Sequence, residues 1–375
     1  AEAPSEEAEV IEAKEEVKAD AEVAEVTTEE VEDVQKLDAD QVDAMLDEVK
    51  AEEASPVEAK EEKVEEVPKV NSLRKKGAKL AVTDLVTADK FNVLGNSPNC
   101  LFEEALEQCD VIIDCTPAGN QNKKEIYSKL EDKTFIAQGS EKGFGVPFAY
   151  GINDDILKQE TTHIQVVSCN THNIACLLKT IPPGGVKDIV KSDIVCIRRA
   201  NDVSQEGSFV ASPTLGKHSD EKFGTHHARD VNDLMQTVKK TVPVYSSAMK
   251  TNSQYMHTVR FSITVDNLLK HEDVMDLLRE NKFIALTHKT CANKVFSFGR
   301  DHGYYGRIYN QAVVSVPSLQ VRETKNNTTT VTGFCFTPQD GNSLLSSAVT
   351  ALYGIHGDNY AKYLHVLDEL LFDQV

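Results

Sequence analysis

No tryptophan occurs among the 375 residues, and no phenylalanine or tyrosine precedes Phe91. The first glycine is Gly77. Nowhere does the chain contain Gly-x-Gly-x-x-Gly, the turn that lays backbone amides against a dinucleotide pyrophosphate at a helix N-terminus. Cys-x-x-Cys is also missing, and the eight cysteines stand singly at positions 100, 109, 115, 169, 176, 196, 291 and 335. That pattern argues against a zinc site and against a disulfide framework, and for reduced thiols in a cytoplasmic compartment. No apolar run approaches the roughly 20 residues that cross a bilayer. The opening residues are acidic rather than rich in Arg, so neither a transit peptide nor a secretory signal is expected. A chain that opens on Ala in place of Met reads as processed or incomplete.

What the first 70 residues do contain is charge: 26 Asp and Glu against 7 Lys, which accounts for nearly all of the formal net charge of −20. A segment with no aromatic residue and this charge density has little with which to build a core, so residues 1–70 are expected to be a disordered acidic tail. Within it, Val34, Leu37, Val42, Met45, Leu46 and Val49 fall near helical spacing. They allow a short amphipathic helix over residues 33–50, either a docking element for a protein partner or a transient solvated helix. The remaining body of about 300 residues is close to neutral and long enough for two domains. Its densest basic run is Arg74-Lys75-Lys76, too short for a nucleic-acid footprint.

One junction in the body carries chemistry. Val166-Val-Ser-Cys-Asn-Thr-His-Asn173 is a β-branched strand end running into a small polar turn, followed by the apolar stretch Ile174–Ile181. Cys169 is therefore placed at the first turn of a helix, where unpaired amides favour thiolate and can hold an oxyanion. The competing reading is a small buried apolar residue. Asp110–Cys115 reads as a buried strand that stops at Thr116-Pro-Ala-Gly119, the kind of carboxyl edge where doubly wound sheets bind nucleotides, or else an ordinary strand-to-helix turn. His226-His227 is either a ligand pair or a solvated one. Arg198 and Arg199 leave the strand-like Val195-Cys196-Ile197 on opposite sides, one toward a site and one toward solvent.

Taken in order, these segments, with Gln138-Gly-Ser-Glu-Lys142, Ile197-Arg-Arg-Ala-Asn-Asp202, Gly224-Thr-His-His-Ala-Arg-Asp-Val231 and Tyr255-Met-His257, resemble the archaeal-type (type II) glyceraldehyde-3-phosphate dehydrogenases. That family shows Ser-Cys-Asn-Thr-Thr at its nucleophile and Ser-His-His-x-x-Asp-Val further on. The resemblance covers roughly residues 71 to 355. It implies Cys169 as nucleophile and His257 as general base. It implies substrate and phosphate binding through Ser168, Asn170, Thr171, His226 and His227, and cofactor binding through Thr116, Pro117, Gly119, Arg199 and Gln339. The implied cofactor is NAD or NADP, the implied assembly a homo-tetramer, and the implied reaction phosphorylating oxidation through a cysteine thioester to 1,3-bisphosphoglycerate. Departures are the missing glycine turn and His257-Thr-Val259, where the family often has His-x-His. A non-catalytic homologue that has lost cofactor binding and uses its acidic tail to hold a partner is the second reading. A semialdehyde dehydrogenase is a third, disfavoured by the paired His226-His227 and Arg198-Arg199.

The expected fold is α/β: a truncated Rossmann-like nucleotide domain over residues 71–168 and an α+β catalytic domain with a largely antiparallel sheet over 169–340. A C-terminal helical segment over 341–375 would return to the nucleotide domain. Strands are expected at 189–198, 259–264, 311–321 and 328–336, and a helix at 342–353.

Overall fold

The computed structural model describes residues 58–139, 141–158, 160–201 and 209–375, with side chains from Val67 onward. The expected helix over 33–50 and the tail up to residue 57 lie outside the described residues, as do Ser140 and Asp202. From Glu58 the chain is helical. Helix α1 (Glu58–Lys75) takes in the last part of the acidic segment, whose Ala, Glu and Lys residues are good helix formers.

Two units of the described chain are separated by their internal contacts: residues 58–80 with 85–99, and residues 81–84 with the described residues from 100 onward. In the first, α1 is followed by α2 (Leu85–Val93), and Arg74 donates to the Ser97 carbonyl at 3.1 Å. In the second, β1 (Ala81–Val82) pairs in parallel with β2 (Cys100–Leu101), which leads into α3 (Phe102–Gln108).

The chain then builds a four-stranded sheet, all parallel. Strand β3 (Val111–Asp114) is followed by α4 (Gly119–Glu125), then by β4 (Thr134–Gln138), β5 (Val146–Phe148) and β6 (His163–Val166), in the spatial order β3-β4-β6-β5. A parallel sheet needs cover on its faces, and its strands are accordingly short apolar runs. After β6, helix α5 (Cys169–Thr180) starts at once, with the Ser168 hydroxyl accepting from the Thr171 amide at 3.4 Å as its cap.

Helix α5 also packs on a second, larger sheet. Its elements are β7 (Ile189–Arg198), β8 (Thr214–Leu215), α6 (His226–Gln236), β9 (Val244–Lys250), β10 (His257–Val265), α7 (His271–Glu280), β11 (Ile284–Thr287), α8 (Ala292–His302), β12 (Ala312–Ser315), β13 (Gln320–Thr324) and β14 (Thr328–Thr337). The strand order is β11-β12-β14-β10-β7-β9-β8, with β13 on β14. Only β11/β12 and β7/β9 pair in parallel. The fold is therefore mixed α/β, a Rossmann-like parallel layer plus a larger, mostly antiparallel layer.

One expected strand is corrected. Residues 311–321 form β12, a tight turn at Val316–Ser318, and the start of β13, because Pro317 has no amide to give a ladder. Elsewhere alternation reads correctly. In β10, Val259, Phe261, Ile263 and Val265 are buried on one face, and His257 stands at the head of that same row.

Helix α9 (Gly341–His356) returns to cover β3, β4, β6 and α5, and the short α10 (His365–Asp368) follows it. The inner face of α9 carries serines rather than a purely apolar stripe. Ser347 Oγ accepts from Gln138 Nε2 at 2.6 Å, and Ser346 Oγ accepts from the Tyr150 amide at 3.0 Å. A side chain at Gly341 would collide with the Ile308 carbonyl, so only glycine lets the helix start this close. Among the described residues no helix is long and apolar enough to cross a membrane.

Candidate active site

The parallel order of β3, β4 and β6 puts the Thr116–Gly119 turn, Gly139 and Cys169 along one carboxyl edge. Strand β10 and the end of β7 bring the remaining candidates from the other sheet. At the end of β7 the chain turns so that Arg198 is exposed and Arg199 is buried, with Arg199 donating through Nη1 to the Tyr255 carbonyl at 3.0 Å. Arg199 is thus the inward one, although period-two alternation from Cys196 would have chosen Arg198. The strand ends where the pattern would have applied.

Cys169 opens α5, but its thiol is not the thiolate that a helix N-terminus alone would favour. Burial pushes it up to about 11, outweighing Arg199 and the Asn170 amide, which pull it down. An alkylation series with iodoacetamide, read by peptide mass spectrometry, is expected to show slow labelling of Cys169 at neutral pH and a rate still climbing above pH ~10. A plateau reached below pH ~8 would overturn this account of the unliganded thiol.

His257 is 7% exposed, and the Arg199 backbone N–H donates to its Nδ1 at 3.0 Å. An amide can only donate, so the neutral ring carries its proton on Nε2. Gln339 lies 2.8 Å from Nε2, while its Oε1 accepts from the His257 amide at 3.0 Å. The carboxamide oxygen cannot serve the ring Nε2–H without turning over and giving up the amide. The atom at 2.8 Å is the Gln339 amide nitrogen, a donor facing a donor, so Gln339 gives the ring Nε2–H no acceptor and an incoming oxygen would supply one. Burial, and then Arg198 and Arg199, hold the imidazole down to about 3, so it is neutral throughout the physiological range.

His226 and His227 begin α6, with rings 4.0 Å apart. His226 is exposed. His227 is 3% exposed, and neither of its ring nitrogens has a hydrogen-bond partner. Burial, then the charges of His226, Arg198 and His257, keep it well below its ordinary value. A buried polar group without a partner costs about 1–3 kcal/mol, which a ligand oxygen would recover. Of these neighbours Arg198 is the one that stays cationic.

The other candidates are already engaged. Thr171 is fully buried against Ser168, their hydroxyls 2.9 Å apart, and Asn170 Oδ1 accepts from Thr337 at 3.2 Å. The Thr116 amide and hydroxyl donate to Asp114 Oδ1 at 2.8 and 2.7 Å, which fixes the turn. Thr116 and Pro117 face solvent, whereas Gly119 is buried under Glu141, whose carboxylate accepts from the Asn120 amide at 3.0 Å. The first turn of α4 thus has a protein carboxylate where a phosphate would sit.

Motif reading missed the polar core beneath the nucleophile. Asn342 Nδ2 donates to the Cys169 carbonyl at 3.0 Å. His172 Nδ1 donates to the Ser168 carbonyl at 3.0 Å, and its Nε2, 2.8 Å away, accepts from Ser346. The available signal was local: His172 stands where the resembled family shows Thr.

Comparison with known proteins points the same way. A glyceraldehyde-3-phosphate dehydrogenase of Sulfolobus acidocaldarius is 31% identical over 260 residues, 65% of this chain and 71% of that protein. One of Methanobrevibacter smithii is 29% identical over 218 residues, 56% of this chain and 60% of that protein. One of Metallosphaera sedula is 28% identical over 261 residues, 66% and 72% respectively. No protein-family model matches the chain.

Proposed function

The chain belongs to the archaeal-type glyceraldehyde-3-phosphate dehydrogenase family, and on that premise we propose that it oxidises glyceraldehyde 3-phosphate to 1,3-bisphosphoglycerate through a thioester on Cys169. The observation that supports this reading is the pair of unbonded His227 nitrogens within the field of Arg198, whose charge also acts on Cys169, an arrangement that suits an anion near the nucleophile. The substrate phosphate, or the inorganic phosphate that attacks later, meets His227, His226 and Arg198 there.

As the sulfur adds to the aldehyde carbon, the C=O π bond opens and the Cys169 proton passes to the carbonyl oxygen, giving the hemithioacetal hydroxyl by way of an alkoxide. His257 is the residue assigned to that oxygen. With Nδ1 held by the Arg199 amide, its Nε2–H is ready to donate to an alkoxide once Gln339 gives way. The base role drawn from the family requires a bare Nε2, and hence loss of the Arg199 amide bond. An anion bound to Arg198 and Arg199 offsets two of the charges that depress the ring, which makes that role less costly. Once the thioester exists, a phosphate oxygen attacks its carbonyl carbon, the carbon–sulfur bond breaks, and Cys169 leaves as thiolate.

NAD or NADP, when bound, would accept the hydride. Arg199 and Gln339 suit its nicotinamide end, a buried cation and a displaceable carboxamide beside Cys169 and His257. Thr116 and Pro117 would face the rest of it. The pyrophosphate end fits less well, since Glu141 already occupies the Asn120 amide and no Gly-x-Gly-x-x-Gly turn exists in the chain. Those two observations support the second reading, a homologue that has lost cofactor binding and serves as an interaction subunit through its acidic segment. A truncated nucleotide domain and a tetrameric assembly belong to the same proposal.

Calorimetric titration with NAD⁺ and NADP⁺, followed by addition of glyceraldehyde 3-phosphate and phosphate, separates the two. Binding in the micromolar to millimolar range with growth of reduced-nicotinamide absorbance is the expected result. A well-folded protein that binds neither nucleotide sinks the dehydrogenase reading.

A further inference from the structure

Two peptide planes meet at the Cys169 Cα, and their directions decide where Cβ, and with it the sulfur, points. In this chain each plane carries a side-chain donor in addition to the helix ladder. The Ser168 carbonyl, in the first plane, accepts from the His172 amide at 3.0 Å and again from His172 Nδ1 at 3.0 Å. The Cys169 carbonyl, in the second plane, accepts from Asn342 Nδ2 at 3.0 Å. A carbonyl oxygen has two lone pairs, so the extra donor does not displace the ladder bond.

Both donors rest on one support. Asn342 lies on α9, and His172 Nε2 accepts at 2.8 Å from Ser346, one turn further along the same face of that helix. Ser346 Oγ accepts in turn from the Tyr150 amide at 3.0 Å, which leaves its own proton for the imidazole. His172 and Ser346 are fully buried, so water does not compete for these bonds. Burial holds His172 down to about 4, and the neutral ring keeps Nδ1–H toward Ser168 and the Nε2 lone pair toward Ser346. The threonine of the resembled family can bond the carbonyl four residues back, but its side chain ends at the γ position and stops short of α9. Just ahead of α9, Gln339 accepts from the His257 amide at 3.0 Å. One element thus holds both Cys169 and His257.

We propose that His172 is a positioning residue for the Cys169 nucleophile. As a rigid link from the Ser168 carbonyl to Ser346, with Asn342 on the next carbonyl, it clamps the first turn of α5 to α9 and aims the sulfur. It touches neither substrate nor cofactor, and its role rests on the reading of Cys169 as the nucleophile. Aim governs rate because attack needs the reacting atoms about 3–3.5 Å apart and aligned, and a displacement of about 1 Å costs up to about 10²-fold. The groups assigned to phosphate, His226, His227 and Arg198, stand on α6 and β7, so the loss falls on kcat rather than KM.

The test compares the full chain with three variants. His172→Ala loses both bonds, His172→Asn keeps a donor in the place of Nδ1 but cannot reach Ser346, and Ser346→Ala cuts only the link to α9. Turnover is measured in each, together with labelling of Cys169 by iodoacetamide at pH ~9 and a melting curve that shows the protein is folded. Expected in His172→Ala are kcat lower by at least about tenfold and KM within about twofold of the parent. Cys169 is labelled at least about threefold faster, because the loosened turn lets water reach the thiol. The other two variants fall between His172→Ala and the parent. Cys176, fully buried two turns along the same helix, stays unlabelled throughout. Parent-like labelling of Cys169 in a folded His172→Ala overturns the proposal. So does labelling of Cys176 in step with Cys169, which would mean that the whole helix opens. If His172→Ala does not fold, His172→Asn and Ser346→Ala decide by the same readouts. A parent protein without turnover sinks the dehydrogenase reading alone, and the labelling of Cys169 against Cys176 still decides this one.

Discussion

Cys169→Ser is expected to abolish dehydrogenase turnover, by at least about 10⁴-fold, while leaving the fold in place. The magnitude follows from chemistry: a hydroxyl in this position is a far poorer nucleophile, and without sulfur no thioester forms for phosphate to split. The fold survives because the structural bonds of this turn do not use the thiol. Ser168 caps the helix through its own hydroxyl, and Asn342 holds the Cys169 carbonyl rather than its side chain. Circular dichroism and melting temperature of the variant should match the parent, with turnover followed by nicotinamide absorbance. An active Cys169→Ser protein would remove the covalent mechanism, whatever the family implies. An unfolded one would show that the sulfur, half-buried at the head of α5, also contributes to packing.

How much of this was legible beforehand depends on the range over which each property is determined. The junction at Cys169 was readable because a β-branched run, a small polar turn and an apolar run are all local, and they produce β6, the Ser168 cap and α5 in that order. The alternation of β10 likewise told which residues share the face of His257. Pro317 carried a readable signal too, since a residue without an amide rarely sits inside a paired strand.

The state of the thiol was not legible. Helix position is local and favours thiolate, but burial is a property of the assembled fold, and burial wins. The choice between Arg198 and Arg199 stayed open for a related reason: the strand stops one residue before the inward side chain. Gln339 is placed near the site only by resemblance. The approach of its carboxamide to the His257 ring depends on β14 lying beside β10, which no local pattern announces. The site is thus local in its nucleophile and tertiary in almost everything that tunes it.

That division bears on His257, whose replacement by alanine is expected to slow turnover by roughly 10²–10⁴. The ring sits at about 3 because it is buried, with Arg198 and Arg199 close by. Protonation is thus confined to pH well below the ordinary histidine range of about 6.5. The kcat/KM profile of the parent protein should accordingly lack an acidic limb near pH ~6.5 that belongs to this residue. His257→Gln separates the two roles. Glutamine can donate to an alkoxide but cannot take up a proton, so recovery to within about tenfold of the parent rate assigns the donor role. A rate equal to that of His257→Ala assigns the base. If His257→Ala itself runs within about threefold of the parent, neither role belongs to this residue, and the proton of the hemithioacetal oxygen must be managed by another group near Cys169.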